Sequence, residues 1–169
     1  MMLTADRLRE ILKYDPETGE WMWLTKSSVY SPRKIGTKAG SYNKKNNAIY
    51  INVDMKRYSA HRLAWLYVTG AWPKNEIDHI NRDRSDNRFA NLREATRSEN
   101  ARNIGLRPDN ATGLKRVGFD KRRNRYRTRI VVHGKEIWLG YFDTPEKAHA
   151  AYCEAAKKYH GQYANIGCS

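Results

Sequence analysis

The spacing of apolar residues in the first half of the chain predicts two helices and two strands. Thr4 is a typical N-cap residue for a short helix with one apolar face. Tryptophans alternate with other residues at 21–23, and residues 48–55 show a similar alternation, so both segments are predicted to be strands. Helical spacing recurs from Ala60 to Thr69, where Gly70 is suited to end the helix in the left-handed conformation.

The second half is predicted to be a three-stranded sheet covered by one helix. Strand-like patterns run from Lys115 to Phe119, from Tyr126 to Val132 and from Glu136 to Tyr141. Thr144 is a good N-cap for a final helix, whose apolar stripe continues up to Gly161.

Two segments with little apolar periodicity are predicted to be loops. The first is the basic, glycine-containing stretch from Lys26 to Lys45. The second, from Ala101 to Gly113, is the best candidate for a linker between domains. We therefore predict one domain over residues 1–103, a linker over 104–113 and a second domain over 114–169.

The charge balance favours a polyanionic partner. Lys and Arg total 32 against 18 Asp and Glu, which gives a formal net charge of +14. Nucleic acid is the leading candidate. A membrane is the alternative, but no apolar run approaches the ~20 residues that a membrane span needs. The N-terminus also lacks a signal-peptide pattern, so we expect a cytoplasmic protein.

The cysteine content limits the kinds of metal site that the chain can form. Cys153 and Cys168 are the two cysteines, and they do not form a Cys-x-x-Cys pair. Neither a disulfide framework nor a cysteine zinc site is indicated. Any metal is therefore expected to use oxygen and nitrogen ligands.

The segment Glu76-Ile77-Asp78-His79-Ile80-Asn81 has the pattern of a short strand that carries an acid next to a histidine. Neighbouring side chains in a strand point to opposite faces, so this pair can divide two tasks. Asp78 can bind a hard cation, and His79 can deprotonate water near neutral pH. The pattern Thr96-Arg97-Ser98-Glu99 predicts a capping box, and hence a helix that presents Asn100 from its first turn.

These residues resemble the ββα-metal site of phage HNH homing endonucleases. The resemblance is carried by Asp78-His79, by Asp86-Asn87-Arg88-Phe89-Ala90-Asn91-Leu92-Arg93, by Ser98-Glu99-Asn100 and by the preceding Ala60-His61-Arg62-Leu63-Ala64-Trp65. It covers roughly residues 3 to 103, with the catalytic core at about residues 74 to 103. The sequence departs from the family pattern at Arg82, a turn position where glycine is common, and at Asn100, which replaces a histidine.

The resemblance implies a role for each matching residue. His79 is the implied general base, and Asp78 and Asn100 are the implied ligands of one Mg²⁺ or Mn²⁺ ion per active site. Asn91 is implied to brace the loop, so His79 and Asn91 are the candidate catalytic residues. No zinc ribbon is expected. We expect His61 to be a structural, hydrogen-bonded histidine rather than a second base.

An arginine-rich face is predicted on the middle strand of the second domain. Arg127 and Arg129 alternate with Thr128 and Ile130, so the helix is expected to cover the apolar face and leave the arginines exposed. Such a face can enter the major groove of DNA. A merely solvated face or a nonspecific phosphate contact is the alternative, and base readout stays open.

This second domain resembles the plant APETALA2/ethylene-response-factor DNA-binding domain. The resemblance is carried by Tyr126-Arg127-Thr128-Arg129-Ile130, by Trp138-Leu139-Gly140-Tyr141-Phe142-Asp143-Thr144 and by the helix segment from Ala148 to Ala156. It implies outward positions for Lys115, Arg129 and Trp138. The full set of predicted DNA contacts is Lys115, Arg116, Arg122, Arg123, Arg125, Arg127, Arg129 and Trp138.

The sequence therefore predicts an α+β chain, with a ββα-metal HNH nuclease domain followed by a three-stranded sheet and one helix. The predicted function is metal-dependent hydrolysis of double-stranded DNA by a homing-type enzyme of a phage or mobile element. A noncatalytic DNA-binding regulator on a degenerate HNH scaffold is the alternative, and an RNA nuclease is less favoured because no aromatic RNA-reading platform is evident. One metal site per chain favours a monomer that nicks one strand, and no protein partner is implied.

Overall fold

The computed structural model describes residues 2–26, 34–103, 105–106 and 110–167. The chain divides into two compact units, Met1–Arg97 and Ser98–Ser169. Helices and mostly antiparallel strand pairs occur in both units, which confirms the predicted α+β class. No helix among these described residues is long and apolar enough to cross a membrane.

The first unit begins with a short helix followed by a strand pair. Helix α1 spans Ala5–Ile11, and the Thr4 side chain caps it by accepting a hydrogen bond from the Arg7 backbone N–H at 3.2 Å. Strand β1 (Leu12–Tyr14) follows directly and pairs antiparallel with β2 (Trp21–Trp23). The helix and β2 confirm their predictions, whereas β1 was not predicted.

A three-stranded antiparallel sheet and a second helix come next. Strands β3 (Ser41–Asn43), β4 (Ala48–Val53) and β5 (Lys56–Ser59) lie in the order β3-β4-β5. Helix α2 spans Ala60–Thr69 and ends as predicted at Gly70, whose φ of +78° is the left-handed conformation that glycine adopts without strain.

Strand β3 corrects the prediction of a loop from Lys26 to Lys45. The backbone of Ser41-Tyr42-Asn43 pairs with residues 48–50 of β4 and satisfies hydrogen-bonding groups along that edge. Polar side chains on both sides of β3 hide this pairing from an analysis of apolar spacing. Residues 27–33 of the same stretch lie outside the described residues.

A second strand pair completes the first unit. Strands β6 (Glu76–His79) and β7 (Leu92–Ala95) are antiparallel, and a 3₁₀ turn at Phe89–Asn91 ends the loop between them. Ile77 and Leu92 belong to the same buried cluster as the apolar residues of α1, β1, β2, β4 and α2. The core therefore fixes this strand pair on the rest of the unit.

The second unit contains the predicted sheet and covering helix. The short helix α3 (Arg97–Asn100) begins at the boundary of the units. Strands β8 (Val117–Asp120), β9 (Arg125–Val132) and β10 (Lys135–Phe142) form an antiparallel sheet with β9 in the centre. Helix α4 (Pro145–His160) packs on this sheet.

The buried face of this sheet is the one that the alternation in β9 predicts. Ile130 is 2% exposed and packs against Tyr152, Ala155 and Ala156 of α4. Thr144 caps the helix through a hydrogen bond from the Lys147 backbone N–H. The predicted arrangement of three strands and one helix is confirmed.

The boundary between the two compact units lies earlier in the sequence than the predicted linker. Asn103 lies in the second unit, where its carbonyl oxygen accepts a hydrogen bond from the Asn165 amide at 2.9 Å. The Lys115 ammonium donates to the Arg102 carbonyl oxygen at 3.1 Å. Residues 104 and 107–109 of the predicted linker lie outside the described residues. These contacts explain why the residues just before the predicted linker group with the second unit.

Candidate active site and DNA-binding surface

The strand pair β6–β7 holds both predicted site residues of the first unit. Asp78 and His79 are each 5% exposed, and their backbones lie opposite Arg93 and Leu92 of β7. Their neighbours Ile77 and Leu92 pack into the apolar core, so the strand is fixed close to the polar pair. A buried carboxylate and a buried imidazole therefore lie side by side on a rigid element.

Arg93 binds the Asp78 carboxylate directly. Its Nε and Nη2 atoms donate to Asp78 Oδ2 at 2.9 and 2.7 Å. The arginine side chain is 15% exposed and the aspartate side chain 6%. Charged groups this deeply buried need a partner of opposite sign, because removal from water is costly. Arg93 supplies that partner.

The His79 ring is oriented by Asn87, which is 1% exposed. His79 Nε2 lies 3.3 Å from Asn87 Oδ1, and the Asn87 amide donates to the Ser85 carbonyl oxygen at 3.2 Å. Because Oδ1 can only accept, Nε2 carries the ring proton and Nδ1 keeps the lone pair. Burial lowers the pKa of His79, which favours the neutral ring that a base requires.

Asn91 cross-links the loop that follows His79. Its side-chain oxygen accepts from the Asn81 backbone N–H at 3.0 Å, and its amide donates to the Asp86 carbonyl oxygen at 2.8 Å. Arg82 lies in this loop with φ +69°, so the chain keeps the left-handed turn without the glycine common at that position. Asn91 thus lies where bracing was predicted, and it acts on the loop rather than on the His79 ring.

The turn between β1 and β2 supports the same loop from the other side. The Tyr14 hydroxyl donates to the Asn87 carbonyl oxygen at 2.6 Å, and the Phe89 N–H donates to the Pro16 carbonyl oxygen at 2.9 Å. A Cβ atom on Gly19 would lie 2.5 Å from the Arg88 backbone nitrogen, so only glycine allows this approach. The N-terminal residues therefore help to position Asn87.

His61 lies beside His79, and its predicted role needs correction. The two rings meet edge to face, with centroids 5.0 Å apart and planes at 82°. Among the described residues, the buried Nδ1 atom of His61 has no hydrogen-bond partner. Burial lowers the pKa of His61 to about 3, so the ring is neutral. His61 is a partly buried ring that packs against His79, and within the described part of the chain its buried Nδ1 lacks the hydrogen bond that was predicted.

The exposed face of the second sheet carries most of the predicted DNA contacts. Arg127 and Arg129 of β9 are exposed, and Trp138 of β10 is 48% exposed and lies opposite Arg129. The Arg129 guanidinium pairs with Glu136 at 2.9 Å. The remaining exposed arginines of the β8–β9 turn and the start of β9 are Arg122, Arg123 and Arg125.

Two predicted contacts lie elsewhere. Lys115 is 6% exposed and its ammonium binds the Arg102 carbonyl oxygen, so the prediction of an outward position is wrong. Lys115 lies before β8 rather than within the predicted strand from Lys115 to Phe119, so the outward position implied by the resemblance does not apply to it. Arg116 is exposed but hydrogen-bonds Tyr152 of α4, which places it on the helix side.

Comparison with known proteins finds a different family model in each part of the chain. An HNH endonuclease family model matches residues 58–102, and an AP2 domain model matches residues 114–162. Protein 3.8 of Escherichia phage T7 is 30% identical over 107 residues, which cover 63% of this chain and 88% of that protein. This chain belongs to the HNH endonuclease family. No solved structure matches it.

The HNH endonuclease match covers both implied metal ligands, Asp78 and Asn100. Among the described residues, no group of three or more His, Cys, Asp or Glu could hold a metal ion. Carboxylate and amide oxygens are donor types typical of Mg²⁺, which keeps several water ligands and binds substrate phosphate oxygens. These donor types fit Mg²⁺ better than zinc. Asp78 lies in the first compact unit and Asn100 in the second.

Sequence reasoning missed three residues of this HNH endonuclease site. Arg93 and Asn87 were quoted within the motif but given no role, and His61 was placed outside the site. The antiparallel register was the available signal for Arg93, because a strand pair places one β7 residue opposite Asp78. The contacts of Asn87 and His61 depend on tertiary packing and leave no such local signal.

Proposed function

We propose that this chain is a metal-dependent endonuclease that hydrolyses phosphodiester bonds of double-stranded DNA. The observation that carries the proposal is the buried pair Asp78 and His79, with Asn87 fixing the His79 ring. A side chain held in this way is suited to proton transfer rather than to surface binding. The family match and the arginine face of the second unit support DNA as the substrate.

In the proposed reaction, a water oxygen attacks the phosphorus atom while His79 Nδ1 accepts a proton from that water molecule. The bond between phosphorus and the 3′ oxygen breaks, and the leaving oxygen takes a proton from solvent. The products carry a 5′ phosphate and a 3′ hydroxyl. A positioned base of this kind typically adds about 10²- to 10⁴-fold to the rate.

Asp78 and Asn100 are the proposed ligands of one Mg²⁺ or Mn²⁺ ion. When bound, this ion would neutralise negative charge that develops on the scissile phosphate and the 3′ oxygen. Asn91 serves as a positioning residue, because its hydrogen bonds hold the loop that follows His79. One such site acts on one strand, so we propose that a monomer nicks DNA.

We also propose a homing-type role in a phage or mobile element, acting on DNA inside a bacterial host. The similarity to a protein of Escherichia phage T7 supports a phage origin. In this scheme, residues 1–103 form the nuclease domain, residues 104–113 a linker, and residues 114–169 the targeting domain. The targeting domain contacts DNA through Arg122, Arg123, Arg125, Arg127, Arg129 and Trp138.

Cleavage of supercoiled plasmid with and without Mg²⁺ or Mn²⁺ tests the proposed activity. The plasmid carries the gene with its flanking genomic sequence, and nicked and linear products are recorded separately. His79→Ala should abolish metal-dependent nicking. His133→Asn is the matched control, because His133 is exposed in a turn with φ +49°, a conformation that asparagine tolerates. DNA binding without cleavage by the wild type would favour the noncatalytic regulator.

A further inference from the structure

Arg93 holds the one carboxylate that the proposed function assigns to a metal ion. Two of its hydrogen bonds end on the same oxygen, Asp78 Oδ2. Arg88 pairs with Asp86 through the same two nitrogen atoms at 2.9 and 2.7 Å, but these bonds end on the two different carboxylate oxygens. The Arg88 side chain is 55% exposed, however, whereas that of Arg93 is 15% exposed. The buried pair is therefore the electrostatically stronger one.

A divalent cation on Asp78 has to bind a carboxylate that already pairs with the Arg93 guanidinium. The cation is repelled by Arg93 in a site where screening is weak. A phosphodiester brings a negative charge with which Arg93 can pair instead. The planar guanidinium also presents several donors that suit phosphate oxygens, which makes arginine a common phosphate-binding residue.

We propose that Arg93 binds the scissile phosphate and couples DNA binding to metal binding. In the DNA-free protein, Arg93 holds Asp78 and weakens the affinity of the site for a divalent cation. In the complex, Arg93 donates hydrogen bonds to the phosphate, and the Asp78 carboxylate binds the cation. This inference rests on the proposed function. Because coupling between two ligands is reciprocal, DNA should tighten metal binding by the same factor by which metal tightens DNA binding.

Mn²⁺ binding to the full chain, measured by electron paramagnetic resonance, tests this coupling. All proteins carry His79→Ala so that a DNA duplex stays uncut, and Mn²⁺ bound by the duplex alone is subtracted. Arg93→Gln should bind Mn²⁺ about 10-fold more tightly than its parent without DNA, within the usual range of coupling between sites. The duplex should tighten Mn²⁺ binding to the parent but not to Arg93→Gln.

Arg88→Gln is the matched control, because it removes the same charge and the same two hydrogen bonds from a neighbouring loop. It should leave both the Mn²⁺ affinity and its response to DNA unchanged. The proposal is overturned if Arg93→Gln behaves like Arg88→Gln. It is also overturned if the duplex tightens Mn²⁺ binding equally with and without Arg93.

Arg93→Lys keeps the test decisive if Arg93→Gln does not fold. Lysine retains the charge but not the planar fork, so Mn²⁺ affinity without DNA should stay at the parent value while the gain from DNA falls. A full gain from DNA in Arg93→Lys would overturn the proposal.

Asp78→Asn separates failure of this inference from failure of the proposed function. If Asp78→Asn binds Mn²⁺ as tightly as its parent does, Asp78 is not a metal ligand, and the proposed coupling is wrong as well. If Asp78→Asn weakens Mn²⁺ binding but Arg93→Gln has no effect, only the coupling is wrong.

Discussion

Asn87 determines which nitrogen of His79 can act as a base. We expect Asn87→Ala to lower kcat for plasmid nicking by about 10- to 100-fold, the usual cost of losing a partner that orients a catalytic group. The reason is that the His79 ring loses the acceptor for its Nε2 proton. The apparent KM for DNA should change little. Steady-state nicking at several plasmid concentrations separates the two constants.

Two further variants show whether Asn87 orients the ring or merely supports the fold. Asn87→Asp keeps an oxygen acceptor and should recover a substantial part of the lost kcat. Asn75→Ala, at an exposed position just before β6, should behave like the wild type. Equal losses of kcat in Asn87→Ala and Asn87→Asp, with both proteins folded, would argue against an orienting role.

His61 makes the stability of the first unit depend on pH. Its pKa falls from the ordinary 6.5 to about 3 on folding, because burial disfavours the charged ring. The unfolded chain therefore binds the extra proton, so the stabilising contribution is complete above pH 6.5 and is lost as pH falls toward 3. Between pH 6 and 5, the free energy of unfolding should fall by up to about 1.4 kcal/mol per pH unit from this group. The lowered pKa of His79 acts with the same sign.

Urea unfolding at several pH values from 7 to 5 measures this dependence. A Trp138→Phe background leaves tryptophan fluorescence to Trp21, Trp23, Trp65 and Trp72, all in the first unit. His61→Phe keeps a ring in the pocket and should flatten the pH dependence. His133→Asn should retain it. An unchanged slope in His61→Phe would show that the buried ring does not titrate as stated.

The active-site residues show which contacts a sequence can predict. Asp78 and His79 were identified by their adjacency in a strand, and Asn91 by its spacing from them. His61 and Asn87 were not, because their contacts with His79 join residues 18 and 8 positions away through tertiary packing. A residue type gives little information about such contacts until the fold is known.

Strand β9 has one face covered by helix α4 and one exposed face, and the two are expected to have different roles. Arg127 lies on the exposed face, where a lost phosphate contact should weaken DNA binding and lower the slope of log K against log salt by about 0.9. Fluorescence anisotropy at several salt concentrations measures that slope for Arg127→Ala. Lys157→Ala removes the same charge from the exposed surface of α4 and should leave the slope unchanged. A similar change in both variants would indicate a diffuse charge effect.

The helices and strands differ in how well their boundaries could be predicted. Helices α2 and α4 have strong local signals, because Gly70 ends one and Thr144 with Pro145 begins the other. Strands β1 and β3 were missed because a three-residue segment offers little alternation to detect, although each pairs with the next strand in the chain. The outward position that the resemblance implied for Lys115 is wrong, because Lys115 precedes β8 and its ammonium binds the Arg102 carbonyl oxygen.

The whole molecule joins a unit with an HNH endonuclease match to a unit with an AP2 match. The sequence predicts two domains with a linker over residues 104–113, and the two compact units divide between Arg97 and Ser98. The segment from Ser98 to Asn103 has little apolar character. The Lys115 and Asn165 side chains donate hydrogen bonds to its backbone carbonyl oxygens, which groups it with the second unit. Contacts of this kind are invisible to apolar spacing.

A chain with two DNA-binding units should depend on DNA length in a way that a single unit does not. Once one unit has bound, the second binds at a high effective concentration, which can raise the total affinity by about 10²- to 10⁴-fold. Shortening a cleavable duplex until it reaches only the nuclease unit should therefore raise KM strongly and leave kcat nearly unchanged. The triple variant Arg127→Ala, Arg129→Ala and Trp138→Ala should have a high KM at every length, because its second unit contributes little on any duplex. His79→Ala should bind long duplexes as tightly as the wild type without cutting them. If the KM of the wild type is equal on short and long duplexes, the second unit does not target cleavage, and its arginine face must serve another purpose.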